Sequence, residues 1–153
     1  MNTLRCNTLL LQAAFRGDIP AMAELLAQGA DRSVGTGALY EASIGGHTDA
    51  VKWLMEDGPP GRDIDQAAAG AARTGHTKIL SLLIPHAGPE GKKWAMTSAV
   101  HAGHIPCVEV LIKAGVSGAD SLGLVRTKAM TILLLQTGLG VSAHGLARIK
   151  ALL

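Results

Sequence analysis

The sequence predicts an all-α protein made of stacked helix-turn-helix units, and three observations predict it. A short motif recurs four times at nearly constant spacing. Within each copy the apolar residues fall three and four apart, the period of one helix face. Aromatics supply only 3% of the 153 residues while apolar residues supply 48%. A core built from Ala, Leu, Val, Ile and Met suits closely packed helices better than a sheet. The length fits one domain over residues 1–153.

The register is set by one glycine per unit: Gly17, Gly46, Gly75 and Gly103, spaced by 29, 29 and 28 residues. Four positions earlier stand Ala13, Ala42, Ala71 and Ala99. Seven earlier come Leu10, Leu39, Ala68 and Met96, and three earlier Ala14, Ser43, Ala72 and Val100. These positions share one face of a first helix, and their small side chains let a neighbouring helix approach closely.

A second helix follows each anchor. Five positions on are Met22, Val51, Leu80 and Val108; eight on are Leu25, Leu54, Leu83 and Leu111. Gly29, Gly58 and Gly115 close the stripe as left-handed terminators. In the third unit the closing glycine slips to Gly88, and Pro85 ends the helix early. Thr48 and Thr77 are the expected N-caps, while Pro20 and Pro106 sit in the first turns of the first and fourth units. Neither helix can bury its stripe alone, so the units must stack into a solenoid. Clear repeats cover residues 8–116, a degenerate unit covers 120–138, and a capping helix is expected over 142–153.

The segments "LLLQAAFRGDIPAMAELLAQGAD", "ALYEASIGGHTDAVKWLMEDG", "AAGAARTGHTKILSLLIPHAG" and "AMTSAVHAGHIPCVEVLIKAG" resemble ankyrin repeats. They share that family's A-A-x-x-G-H turn and its V-x-x-L-L-x-x-G helix. The resemblance implies an ankyrin-like solenoid. These units are shorter than the family's roughly 33 residues, and the loss falls between each closing glycine and the next helix. The family's projecting finger is therefore expected to shrink to a plain loop, and its T-P-L-H opening is absent. The resemblance further implies that His47, His76 and His104 link to backbone in neighbouring turns.

Composition narrows the function. Residues 1–91 hold 7 basic and 10 acidic side chains, and residues 92–153 hold 7 basic and 2 acidic. A basic C-terminal half could favour an acidic partner, or it is a solvated surface. With few aromatic platforms, nucleic acid is a poor fit. No apolar run approaches the roughly 18 residues of a membrane span. Two cysteines form no disulfide framework and fit a reducing compartment, with the cytoplasm expected and the nucleus or an organelle as alternatives. The start has basic residues and no acid before Asp18, which leaves an organellar transit segment open.

No catalytic constellation is found. The paired glycines of "GTGALY" and "GLGVSAHG" complete no phosphate-binding loop, and "GVSGAD" is not a nucleophile elbow. His101, His104 and Cys107 are spaced by three, yet Cys107 holds a position filled by Ala21, Ala50 and Ile79 in the other units, which reads as packing. A metal switch on that cluster stays the third choice, so neither metal nor cofactor is expected, nor a small-molecule substrate.

What remains is a surface for another protein. The two residues before each anchor lie outside the apolar stripe, and the family resemblance implies that they line a concave partner-binding face. Phe15, Arg16, Tyr40, Ile44, Arg73 and His101 form the expected contact set. An exposed aromatic beside an arginine is a common interface anchor, although Phe15 could instead fold over the N-terminal segment as a lid. Trp53 falls in the second-helix stripe and reads as packing, and Trp94 opens a helix and is expected to be partly exposed. The expected function is a non-enzymatic interaction module or adaptor, and the alternative is a structural subunit of a larger assembly.

Overall fold

The computed structural model describes residues 3–35, 37–118 and 128–136. The elements are all helical: α1 (Thr3–Arg16), α2 (Ile19–Ala27), α3 (Ala38–Gly45), α4 (Thr48–Glu56), α5 (Gly61–Thr74), α6 (Thr77–Leu83), α7 (Pro89–Ala102), α8 (Ile105–Lys113) and α9 (Lys128–Gln136). A 3-10 turn, Ile84–His86, follows α6. Among the described residues there is no strand, and no helix is long and apolar enough to cross a membrane.

Each of α1, α3, α5 and α7 packs on the helix that follows it, and the four also pack on one another in chain order. The residues that permit this are those of the repeated register. Ala42, Ala71, Ala72 and Ala99 are fully buried, as are Ala38, Ala67 and Ala95 one turn earlier. With only a methyl group at these sites, backbones come close enough for dispersion contacts along their whole length. The second helices α4, α6 and α8 touch one another far more sparingly. They are joined to the core by larger side chains, with Val51, Leu54, Leu80, Leu83, Val108 and Leu111 all buried.

The anchors turn the chain. Gly17, Gly46, Gly75 and Gly103 have φ of 72°, 80°, 81° and 79°, the left-handed region that side-chain-bearing residues avoid. Gly46, Gly75 and Gly103 each cap the preceding helix through their backbone N–H. Gly29, Gly58 and Gly115 also have positive φ, as expected of closing residues.

Three local expectations are corrected. Helices α4 and α6 begin at Thr48 and Thr77, so the N-cap positions belong to His47 and His76, and neither side chain makes a capping bond. In the first unit Asp18 does cap, its Oδ1 accepting the Ala21 N–H at 3.1 Å. Pro85 does end α6, by throwing the chain into the 3-10 turn. Gly88, however, is extended (φ −71°, ψ 171°) and starts α7 rather than closing the unit. Its N–H donates to Asp65 Oδ1 of α5 at 2.7 Å, a long-range bond that fixes where α7 begins.

The shortened connections take a form beyond a plain loop. Helix α5 starts at Gly61 and α7 at Pro89, so residues 57–60 and 87–88 are all that separate each from the element before it. Residues that a finger would occupy have become an extra helical turn. Ahead of α3 the connection is longer, and its described residues are held by Asn7 Oδ1 accepting the Asp31 N–H at 2.7 Å and by an Arg32–Asp57 ion pair at 2.9 Å. In the fifth unit the described part is α9, with Met130 and Thr131 buried. The rest of the unit expected over 120–138, and the capping helix expected over 142–153, lie outside the described residues.

Candidate functional site

The site is built from first-helix positions off the alanine-lined stripe, of which Gly70 alone is buried. On the first helices these stand nine, six, five and two residues before the anchor glycine. They share a face because their separations of three and four match the helix period. In α1 they are Thr8, Leu11, Gln12 and Phe15; in α3, Tyr40, Glu41 and Ile44; in α5, Gln66, Ala69, Gly70 and Arg73; in α7, Trp94, Thr97, Ser98 and His101.

Two surface depressions are lined almost wholly from those offsets. The first, about 510 Å³, lies between α1 and α3 and is walled by Leu11, Phe15, Arg16 and Glu41. The second, about 320 Å³, spans α3, α5 and α7, with Tyr40 and Trp94 above Ala69 and Gln66. Phe15 is 50% exposed and Trp94 49% exposed. Of the chain's four aromatic residues, three (Phe15, Tyr40 and Trp94) lie on this one surface, and only Trp53 packs against the core.

Tyr40, Ile44 and Arg73 are brought together. The Arg73 Nη2–H donates to the Tyr40 hydroxyl at 2.7 Å. Gly70 sits beneath them: a Cβ there would stand 2.8 Å from Tyr40 Cε2 and 2.9 Å from Ile44 Cγ2. The absence of a side chain at Gly70 thus seats the tyrosine ring and the isoleucine directly on the α5 backbone. Arg16 lines the first depression and also a second one, about 280 Å³, with Leu9 and Asp18. His101 is exposed at the last turn of α7, one unit beyond Arg73.

Of the histidines that follow the anchors, His76 and His104 make the expected backbone link, while the His47 ring packs against Gly17. His76 Nε2 lies 3.1 Å from the Ile44 carbonyl oxygen and His104 Nε2 lies 3.1 Å from the Arg73 carbonyl oxygen. Each imidazole therefore bonds back to the helix end of the unit before it, at the residue two before that unit's anchor. The scaffold and the surface are coupled here, since Ile44 and Arg73 present side chains to the face while their carbonyls hold the next unit. Among the described residues no three His, Cys, Asp or Glu side chains assemble as metal ligands. Cys107 is fully buried, its sulfur 3.7 Å from Thr77 Oγ1. Burial pushes its thiol pKa up, against a smaller lowering by the Thr77 bond, which disfavours the thiolate needed for chemistry.

Trp94, Leu11, Gln66 and Ala69 were not among the residues expected at the site. A signal for them existed: Tyr40 stands six before its anchor, and applying that offset and its neighbour nine before to every unit picks out all four. Helix α7 also begins five residues ahead of Trp94, so this ring sits within a helix face rather than at a helix start.

No protein-family model matches the chain, and no curated protein matches it. The four units of the sequence itself supply the internal comparison.

Proposed function

We propose that this protein is a non-enzymatic binding module, an ankyrin-like solenoid that presents its first-helix surface to another protein. The observation that carries the reading is the placement of the rings. A chain with so few aromatics leaves Phe15, Tyr40 and Trp94 outside its core, on a single face, beside Arg16 and Arg73. Aromatic and arginine side chains are the residues most often found anchoring protein interfaces. The close approach of α1, α3, α5 and α7, set against the sparse contact among α4, α6 and α8, supports a stack that fans open on its second-helix side. The binding face is then the hollow one. A rigid, pre-ordered surface loses little entropy on docking, which is how a module without chemistry reaches useful affinity. The cytoplasm is the compartment that fits two buried, unpaired thiols.

The test is capture from native extract with the full chain as bait. A Phe15→Glu, Trp94→Glu double variant keeps its far-ultraviolet circular dichroism and melting profile but loses the proteins that the parent retains. Equal recovery by the two baits sinks the reading. The alternative, a fixed subunit of a larger assembly, draws support from Leu4 and Leu9 of α1, which are 70% and 37% exposed. It requires the purified chain to self-associate or to precipitate, where a module stays monomeric.

A further inference from the structure

We infer that the surface takes an extended peptide segment with two carboxylate side chains about five to six residues apart and apolar residues between them. This rests on the binding-surface reading above and adds the chemistry of the occupant.

The charges of the face decide the sign. Arg16 and Arg73 both stand on it, and neither pairs with a carboxylate among the described residues. Arg73 is not a free-swinging cation. Its bond to the Tyr40 hydroxyl leaves the remaining guanidinium donors displayed in a fixed orientation, and a planar fork of donors matches a carboxylate. Glu41, which lines the same depression as Arg16, has a partner of its own. A partner with carboxylates meets two unpaired cations, and a partner with lysines meets them as repulsion.

The spacing comes from the packing. Arg16 ends α1 and Arg73 lies in the last turn of α5, with α3 packed between these two helices. Packed helices lie roughly 8–10 Å apart, so two steps span about 16–20 Å. An extended chain advances about 3.3 Å per residue, which places the two acids about five to six positions apart. Between the arginines α3 offers Ile44 and the Tyr40 ring, both seated on Gly70, and Phe15 stands beside Arg16 at the end of α1. The central residues of the peptide are therefore apolar. A helical peptide would cover the same span with about twelve residues, so the interval between acids also reports the conformation of the occupant.

The experiment is selection of a displayed library of random 14-residue peptides on the immobilised full chain, followed by fluorescence anisotropy on the enriched peptides. The expected result is enrichment of Asp or Glu pairs five to six apart around Leu, Ile, Pro or aromatic residues. Arg16→Gln and Arg73→Gln each weaken the selected peptides about five- to tenfold. Lys78→Gln, an exposed cation on α6, leaves binding unchanged and controls for net charge. Circular dichroism of the variants confirms the fold. Enriched peptides without acidic bias, or with acids but indifferent to both arginine variants, overturn the inference while the binding surface stands. No enrichment above an uncoated surface overturns both readings.

Discussion

Replacing Gly46 by alanine, compared with the same change at Gly103, isolates the contact that ties one unit to the next. Both glycines cap a helix in the left-handed region, at φ of 80° and 79°. An L-residue there costs about 1–2 kcal/mol, and that is the whole expected cost of Gly103→Ala, since among the described residues nothing lies within 4 Å of the added Cβ. At Gly46 the Cβ would stand 2.7 Å from His76 Cε1. The ring must move, and its 3.1 Å bond to the Ile44 carbonyl goes with it. A half-buried hydrogen bond contributes about 1 kcal/mol, so Gly46→Ala is expected to cost about 2–3 kcal/mol. With a urea m-value of about 2 kcal/mol/M, the two variants separate by about 0.5 M in midpoint. A second arm removes the ring. In a His76→Ala background Gly46→Ala falls to the cost of Gly103→Ala, because the clash and the bond have both gone. Equal midpoints for the two glycine variants in the parent protein, or an undiminished Gly46→Ala cost without the imidazole, refute the account of the histidine link.

Three further outcomes follow from the packing. Ala71→Leu places a branched side chain into a fully buried site between closely apposed helices, and overpacking of this kind costs about 2–3 kcal/mol by urea titration. Asn7→Ala removes the acceptor for the Asp31 N–H at 2.7 Å and lowers stability by about 1–2 kcal/mol, with faster proteolysis in residues 28–37 as the local readout. Cys107 gives a pH dependence whose sign is fixed by burial. Its folded pKa is raised above the ordinary value of 9.0, so the unfolded chain releases this proton first. The contribution is present below about pH 9 and is lost as pH rises through the folded value. Cys107→Ala is expected to flatten that alkaline fall in stability, and in the parent the native thiol resists a disulfide reagent that labels it after unfolding.

Much of the fold was legible because its rule is local and repeated. Ala42, Ala71 and Ala99 must be small wherever two first helices meet, so the constraint returns with each unit and shows as period. What the sequence hid depends on partners far along the chain. Thr48 and Thr77 carry good capping chemistry, but His76 takes the N-cap position while its ring reaches back to Ile44 in the previous unit. Gly88 looks like a helix terminator until Asp65, 23 residues earlier, is seen to accept its N–H. The added helical turn before α5 and α7 is likewise a tertiary outcome, since Gly91 lies against the Asp65 side chain with no room for a Cβ.

The surface was half legible for a related reason. Packing fixes residue type on the core side of each first helix and leaves the opposite side free, so periodicity locates the face without saying what fills it. Phe15, Ile44, Arg73 and His101 were placed on the face because they stand two before the anchors, where register is certain. Trp94 was left out of the set because register had to be carried nine residues back, to the point where α7 was expected to start. The composition bears on the meaning of that face. Where alanine and leucine suffice to fill the interior, a ring left half in water contributes little to folding, and the two such rings on this face, Phe15 and Trp94, are not accounted for by the stability of the stack. On the proposed reading, their placement beside Arg16 and Arg73, which form no ion pair among the described residues, is what a ligand bringing both apolar residues and acids requires.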